Sequence, residues 1–330
     1  MTNTLRLESP AKVNLRLEIL KRREDGYHEL RTVFQKISLH DTLSFSLRKG
    51  RGVSITADHP KLPVGKKNLV YRAVQSMLKV SGYRGGVHVE IEKRIPLGAG
   101  LGGGSSNAAT TMKALNQLLE MNLPEKELMR MGLEIGADVP FFFLESAAIG
   151  SGVGERLKKV KLPNLWYVLI YPNFEVSTRW AYQNFVLARS AGRNIRFRDG
   201  AEKHRSGSTL NLRPELSPRG KSQPSGYGAE RLTKQQFHIN LHKFLKTPDG
   251  ISRILLNHLE ALVSKKYPQI GIMKKALLSA GALGALMTGS GPTVFGLFQE
   301  AKSAARAYEK IRRMVRGKGW EVFRAHNITA

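Results

Sequence analysis

Five glycines fall within seven positions, at Gly98, Gly100, Gly102, Gly103 and Gly104, in the run Pro96-Leu-Gly-Ala-Gly-Leu-Gly-Gly-Gly-Ser-Ser-Asn-Ala-Ala. Glycine loses more conformational freedom on folding than any other residue, so a run this dense implies backbone that must approach something closely. Before it, Val87, Val89 and Ile91 alternate with His88, Glu90 and Glu92, a strand pattern that ends at Pro96. After it, Ser105 opens a helical pattern with Ala108, Met112, Leu115 and Leu119 on one face. A strand, a glycine loop and a helix N-terminus in that order make a cradle for phosphate oxygens, since the amides are accessible and the helix dipole favours negative charge. Gly98, Gly100 and Gly103 also match the dinucleotide fingerprint G-x-G-x-x-G. That fold needs a second parallel strand next, whereas here Pro124 opens another helix, with Leu128, Met131 and Ile135 on its face and Gly136 at its end. No lysine follows the loop as in a P-loop, and no H-R-D or D-F-G supports a protein kinase. A tight turn without a ligand is the bland alternative.

The remaining pattern is mixed. Val13, Leu15, Leu17 and Ile19 alternate with polar residues, as do Leu43, Phe45 and Leu47, and Val33 to Leu39 is rich in β-formers, so the N-terminal part reads as sheet. Asn68 caps a helix that runs to about Ser81 and stops at Gly82. Further on, Trp166 to Tyr171 reads as a strand and Ser177 to Leu187 as a helix. Helices follow at Asp249 to Lys266 and Gln269 to Ala280, then strands at Leu283 to Thr288 and Thr293 to Phe298. A helix from Ala301 to Val315 and a strand from Glu321 to Ala325 close the chain. At 330 residues the length suits two domains of roughly 150 residues each, with α+β character. Between 189 and 236, 11 Lys and Arg stand against 4 acidic residues among Gly, Ser and Pro, which reads as a basic surface insertion dispensable for chemistry. His238 and His242 have a metal-like spacing but no cysteine or nearby carboxylate to complete a site, so no metal site is assigned.

Net charge of +27 calls for anionic partners, which a phosphorylated substrate, a nucleic acid or an acidic membrane would each satisfy. With no cysteine in the chain, disulfides, thiolate metal sites and cysteine nucleophiles are excluded. The first twelve residues carry Arg6, Glu8 and Lys12 rather than a signal-like apolar core, and no apolar stretch is long enough to span a bilayer. The expectation is a cytoplasmic protein without membrane partners; oligomeric state is not legible.

Three segments in order carry a family resemblance. Ala11-Lys-Val-Asn-Leu, the glycine loop, and Met287-Thr-Gly-Ser-Gly-Pro-Thr-Val-Phe-Gly resemble the three motifs of the GHMP kinases, a superfamily of small-molecule kinases. Gly26-Tyr-His-Glu-Leu and Gly136-Ala-Asp-Val-Pro-Phe-Phe are similar to the branch whose substrate carries a cytidine diphosphate. One departure is Asn257-His-Leu-Glu, where that branch usually has Asn-Asp-Leu-Glu, which leaves the local packing at His258 open. The resemblance implies a ribosomal-S5-like N-terminal domain over residues 1–159 and a ferredoxin-like C-terminal domain over 160–330, with the site in the cleft between them. It also implies ATP-dependent phosphorylation, helped by Mg²⁺, of a small-molecule cytidyl diphosphate alcohol used in isoprenoid precursor synthesis. A homoserine- or mevalonate-type kinase and a basic nucleic-acid-binding protein are the competing readings; no nucleic acid is expected, because three ordered motifs outweigh net charge.

By the same resemblance Asp138 is the general base and Lys12 orients it and neutralises phosphate charge. From spacing alone Asp138 could equally cap a short turn at Val139 to Phe143, and Lys12 could be an ordinary exposed strand lysine. Asn14 shares the strand face of Lys12 and would touch the substrate's polar groups. Tyr27, His28 and Tyr182 would hold the cytosine by stacking and a hydrogen bond, the alternative being ordinary aromatics. The resemblance also implies that Pro96, Gly98, Gly100, Gly102, Gly103, Gly104, Ser105 and Ser106 form the ATP loop and that Asn68 and Lys93 lie near the adenine. The two serines could merely cap their helix, or one hydroxyl could face Mg²⁺.

Overall fold

A computed structural model of the chain describes residues 4–185, 244 and 246–329. The expected basic insertion, His238 and His242 lie outside the described residues. The chain opens with β1 (Thr4–Arg22) and β2 (His28–Arg48), two long antiparallel strands joined by a short turn. Gly26 takes φ +83° in that turn and Asp25 accepts the Tyr27 amide at 3.0 Å, so Tyr27 and His28 stand at the hairpin end.

Around this hairpin β3 (Gly52–Ala57), β4 (Gly86–Glu92), β5 (Ala147–Gly152) and β6 (Arg156–Val160) complete most of the first sheet. β2 is long enough to pair with β4 at its far end and with β5 at its near end. Against this sheet pack α1 (Leu69–Ser81), α2 (Gly103–Leu118), α3 (Glu125–Ile135) and a 3₁₀ turn, Pro140–Phe143. The second sheet comprises β7 (Trp166–Tyr171), β9 (Gly284–Met287), β10 (Val294–Phe298) and β11 (Glu321–His326), in the order β11-β7-β10-β9. Its helices are α4 (Thr178–Asn184), α5 (Pro248–Ile254), α6 (Glu260–Lys266), α7 (Gln269–Ser279) and α8 (Ala301–Met314). Ala11, Val13 and Leu15 of β1 share one core with Tyr167, Leu169 and Phe295 of the second sheet. The sheets therefore share a core to which α5 adds Ile251 and Ile254, while α1–α3 pack in a separate core against the first sheet and α6–α8 in another against the second.

Two expectations, and the alternative of an exposed Lys12, are corrected. α2 starts at Gly103, two residues before Ser105, because Gly102 takes the N-cap position at φ +71°. The helix expected over Asp249 to Lys266 is broken: after α5 the chain forms β8 (Leu256–Asn257), which pairs parallel with Arg16 and Leu17 of β1, and α6 begins only at Glu260. Helical periodicity there yields to a sheet edge that offers two strand partners. The polar face of β1 is not exposed: Lys12 and Asn14 are only 4% and 2% accessible.

Buried polar groups on these strands are held in pairs. Burial opposes the Glu18 carboxylate, but Arg16 at 2.7 Å and Arg31 at 2.5 Å outweigh it and leave Glu18 below its ordinary range. Among the described residues no carboxylate pairs with Lys36 of β2, and burial, with Lys113 nearby, pushes its ammonium down to about 7. In the unfolded chain the proton stays on up to about pH 10.4. Between these values the unfolded state binds more protons, so the Lys36 contribution makes stability rise with pH through that window. In urea titrations at several pH values Lys36→Met should flatten that rise; an unchanged slope would mean that water reaches the ammonium.

Candidate active site

A cleft of about 990 Å³ runs along the glycine loop and is walled by β1, the hairpin end, α4 and the loop between β9 and β10. Its floor is the middle of β1, at Lys12, Asn14 and Leu17. The Lys12 amide donates to Leu101 O at 2.9 Å, which ties the strand to the loop. Its Nζ donates to Asn14 Oδ1 at 2.7 Å and Gly100 O at 3.1 Å, and lies 3.5 Å from Asp138 Oδ2. Asn14 is fixed in turn, its amide side chain donating to Thr32 at 2.8 Å and its backbone N–H to Thr288 Oγ1 at 3.0 Å.

Asp138 follows α3 in the bend that Gly136 closes, and its side chain is 34% accessible. Among the described residues no side chain caps the 3₁₀ turn behind it, so the carboxylate is not spent as a cap. It lines the cleft with Lys12 as its charged neighbour.

The glycine loop is built by backbone conformation and close approach. Gly98, Gly100 and Gly102 take φ of +60°, +76° and +71°. A Cβ on Gly100 would lie 2.4 Å from Thr288 O, and one on Gly102 would lie 2.9 Å from the Phe142 ring. Ser106 N–H is the first amide of α2 to close onto the loop, at Gly102 O. The N–H groups of Gly103, Gly104 and Ser105 precede it at the helix N-terminus, and these three residues line the cleft, an arrangement that suits phosphate oxygens.

Pro96, Lys93 and Ser105 also line the cleft, but Lys93 is engaged. Its ammonium pairs with buried Asp41 at 2.9 Å and donates to Ile95 O; burial depresses it and Asp41 partly restores it. Asp41 also accepts the amides of Arg94 and Ile95, each at 2.8 Å, and Asn107 Nδ2 at 3.0 Å, locking the loop's entry strand to α2. Asn68 and Ser106 stand apart from the cleft wall. Asn68 caps α1 through the Val70 amide and donates to Pro63 O, and the Ser106 hydroxyl is buried against Ser9 at 2.8 Å.

At the other end His28 and Tyr182 meet with ring centroids 5.6 Å apart, while Tyr27 is 65% accessible at the rim. Burial, then Arg22, lowers the His28 imidazole; burial, then the charge of Asp138, raises the Tyr182 phenol. Thr178 Oγ1 bonds Ser290 at 2.8 Å and so fixes α4, which carries Tyr182, to the third glycine loop, that of the third motif between β9 and β10. Sequence reasoning missed Thr32, Thr288, Phe185 and Arg179 in this site, as well as Asp41. It also left the segment Asn257-His-Leu-Glu without a function, and the structure supplies one. Asn257 Nδ2 donates to Met287 O at 2.7 Å and Gly289 O at 2.8 Å, and Glu260 accepts the Met287 amide at 2.7 Å, so this segment holds the third glycine loop in place. His258, the departing residue, accepts the Ile19 amide at 3.0 Å and stacks on Phe185, with ring centroids 6.0 Å apart.

Among the described residues no group of three His, Asp or Glu side chains could hold a metal ion, and no helix is long and apolar enough to cross a membrane. The pattern of the GHMP kinases N terminal domain matches residues 68–146, and that of the GHMP kinases C terminal matches 241–317. A 4-diphosphocytidyl-2-C-methyl-D-erythritol kinase of Syntrophus aciditrophicus is 40% identical over 98% of this chain and 99% of its own. One of Geobacter sulfurreducens is 38% identical over 96% of each. A crystal structure of 4-(cytidine 5'-diphospho)-2C-methyl-D-erythritol kinase superposes with TM-score 0.73 at 31% identity over 99% of this chain and all of the other. A homoserine kinase from Cytophaga hutchinsonii, at 22% identity and TM-score 0.69 over 100% of this chain and 96% of the other, shares the fold. With relatives this similar along nearly its whole length, the chain belongs to the GHMP kinases, in the family of the 4-diphosphocytidyl-2-C-methyl-D-erythritol kinases.

Proposed function

We propose that this kinase transfers the terminal phosphoryl group of ATP to the 2-hydroxyl of 4-diphosphocytidyl-2-C-methyl-D-erythritol, a step of isoprenoid precursor synthesis. The observation that carries the reading is the order of groups along one cleft: an anion cradle at Gly98 to Ser105, the Lys12–Asp138 pair, then His28 and Tyr182. Asp138 accepts the hydroxyl proton as the alcohol oxygen forms its bond to phosphorus and the bond to the bridging oxygen of ADP breaks. Lys12 holds Asp138 and sets a cation where negative charge gathers on the transferring group. Gly98, Gly100, Gly102, Gly103, Gly104 and Ser105 receive the phosphates, with Pro96 and the buried Lys93 shaping the wall. Asn14 orients the alcohol, and Tyr27, His28 and Tyr182 receive the cytosine.

Mg²⁺ bound with the nucleotide would neutralise phosphate charge. The Ser105 hydroxyl at the start of α2 is the candidate oxygen from this chain, which fits an ion carried mostly by phosphate oxygens. ADP formation with Mg-ATP and the diphosphocytidyl alcohol tests the proposal. Turnover confined to homoserine, mevalonate or a hexose would overturn it.

Stacking sets a second expectation. Tyr182→Ala should raise KM for the cytidyl substrate about fivefold to a hundredfold and leave KM for ATP near its wild-type value, since stacking on one aromatic contributes about 1–3 kcal/mol. Tyr27→Ala should have the smaller effect, because Tyr27 stands in solvent at the rim whereas Tyr182 packs against His28. A rise in KM for ATP instead would mean that the two ends of the cleft are exchanged.

A further inference from the structure

We propose that Lys36 and Lys113 are positioning residues for phosphoryl transfer: their amines grip the carbonyl end of the turn that leaves Asp138 and so set where its carboxylate stands relative to Lys12. The inference rests on the reading of Asp138 as the proton acceptor. The 3₁₀ turn begins two residues after Asp138 and ends at Phe143. Lys36 Nζ, from β2, donates to Phe142 O at 3.0 Å and to Leu144 O. Lys113 Nζ, from α2, donates to Phe142 O at 3.0 Å and Phe143 O at 3.4 Å. Three successive carbonyls are therefore held by two side chains from different elements. Terminal carbonyls lack partners within their own turn and carry its negative end, so cations suit them. One lysine would cap the turn; a second, arriving from a different element, fixes the direction in which the turn leaves Asp138 as well.

The two ends of the turn are linked through a stack of rings. Lys36 Nζ lies 6.0 Å from the Phe141 ring centroid and Lys113 Nζ 5.6 Å from that of Phe143. Phe141 stacks on Phe34 at 4.9 Å, and Lys12 Nζ lies 5.6 Å from the Phe34 ring. In the β1–β2 register Lys36 is the direct partner of Lys12. The same pair of strand positions thus holds the cation beside Asp138 and the anchor of the turn that follows Asp138. Glu125 and Glu145 act on Lys36 as charges, while its hydrogen bonds go to the main chain. A displacement of the order of 1 Å at a reacting group can cost about a hundredfold in rate, so a looser turn should register in kcat.

The test is Lys113→Met and Lys36→Met, each in the wild-type and the Asp138→Asn background, with kcat, both KM values and Tm measured using ATP and the diphosphocytidyl alcohol. Lys113 lies on the exposed side of α2, so its variant keeps the test alive if buried Lys36→Met does not fold. The expected result is a fall in kcat on the order of tenfold with KM for ATP within about twofold, and no further fall in the Asp138→Asn background, since groups acting through one residue are not additive. Unchanged kcat in folded lysine variants while Asp138→Asn is slow would overturn the positioning role alone, as would an undiminished loss in the Asp138→Asn background. Full activity of Asp138→Asn would overturn the proton-acceptor reading and the positioning role together.

Discussion

Replacing Asp138 by Asn should lower kcat by about 10² to 10⁴ while ATP binds almost as tightly as to the wild type. The substitution preserves shape and still offers Lys12 an oxygen, so the neighbouring bonds of Lys12 to Asn14 and Gly100 need not change. What is lost is a group that can take the hydroxyl proton, together with the negative charge beside the ammonium. In barrier terms the expected loss is about 3 to 5 kcal/mol. Because the carboxylate caps no helix or turn, stability should move little, and a Tm close to the wild type would separate chemistry from folding. Steady-state kinetics together with calorimetric ATP binding decide the matter. A variant that keeps most of its kcat would show that Asp138 shapes the bend after α3 and takes no part in transfer.

Gly100→Ala should cost both stability and activity. The position has φ +76°, and the added Cβ would lie 2.4 Å from Thr288 O and 3.0 Å from Gly291 O. Both obstacles are backbone, so no side-chain rotation relieves the contact. Nor can the third glycine loop withdraw freely, since Asn257 holds Met287 O and Gly289 O. Strain of about 1–3 kcal/mol is expected, visible as a lower Tm. Turnover should fall by about a hundredfold, because the loop carries both the phosphate cradle and the carbonyl that receives Lys12. Gly104→Ala makes the comparison informative: its Cβ would meet only Leu69 at 3.6 Å, with no positive φ, and a helical alanine is favoured over glycine. Its Tm should therefore hold or rise. Equal destabilisation by the two substitutions would show that backbone flexibility, rather than the approach of the two loops, is what the glycines provide.

The departure at His258 has a structural consequence at the edge of the cleft. The imidazole stacks on Phe185, and Phe185 lines the cleft near Tyr182. Its Nδ1 also receives the Ile19 amide, so β1 and the segment before α6 are joined through this side chain. The family's usual aspartate at that place can accept a hydrogen bond but has no ring to stack.

Local spacing in the sequence was enough to determine α1 with its Asn68 cap and Gly82 stop, the strand before the glycine loop, α3, β7, β10 and α8. Each is specified by neighbours two, three or four residues apart, whose side chains share a face whatever the rest of the chain does. The glycine loop was legible for the same reason, since its positive φ values are a property of the glycines themselves. Tertiary structure alone decided which polar residues would be buried. Lys12 and Asn14 alternate with apolar neighbours as solvent-facing residues do, yet they lie inside because the third glycine loop and the Asp138 bend close over that face. Asp41 meets Lys93 from 52 positions away, and Lys36 and Lys113 reach Phe142 O from 106 and 29 positions away, distances over which no local spacing carries information. The break between α5 and α6 arose because β1 offered two residues a parallel partner. Periodicity records which face of an element is apolar. What a polar face will meet depends on strand register and on which distant loop packs against it, and those are fixed only when the whole chain has closed.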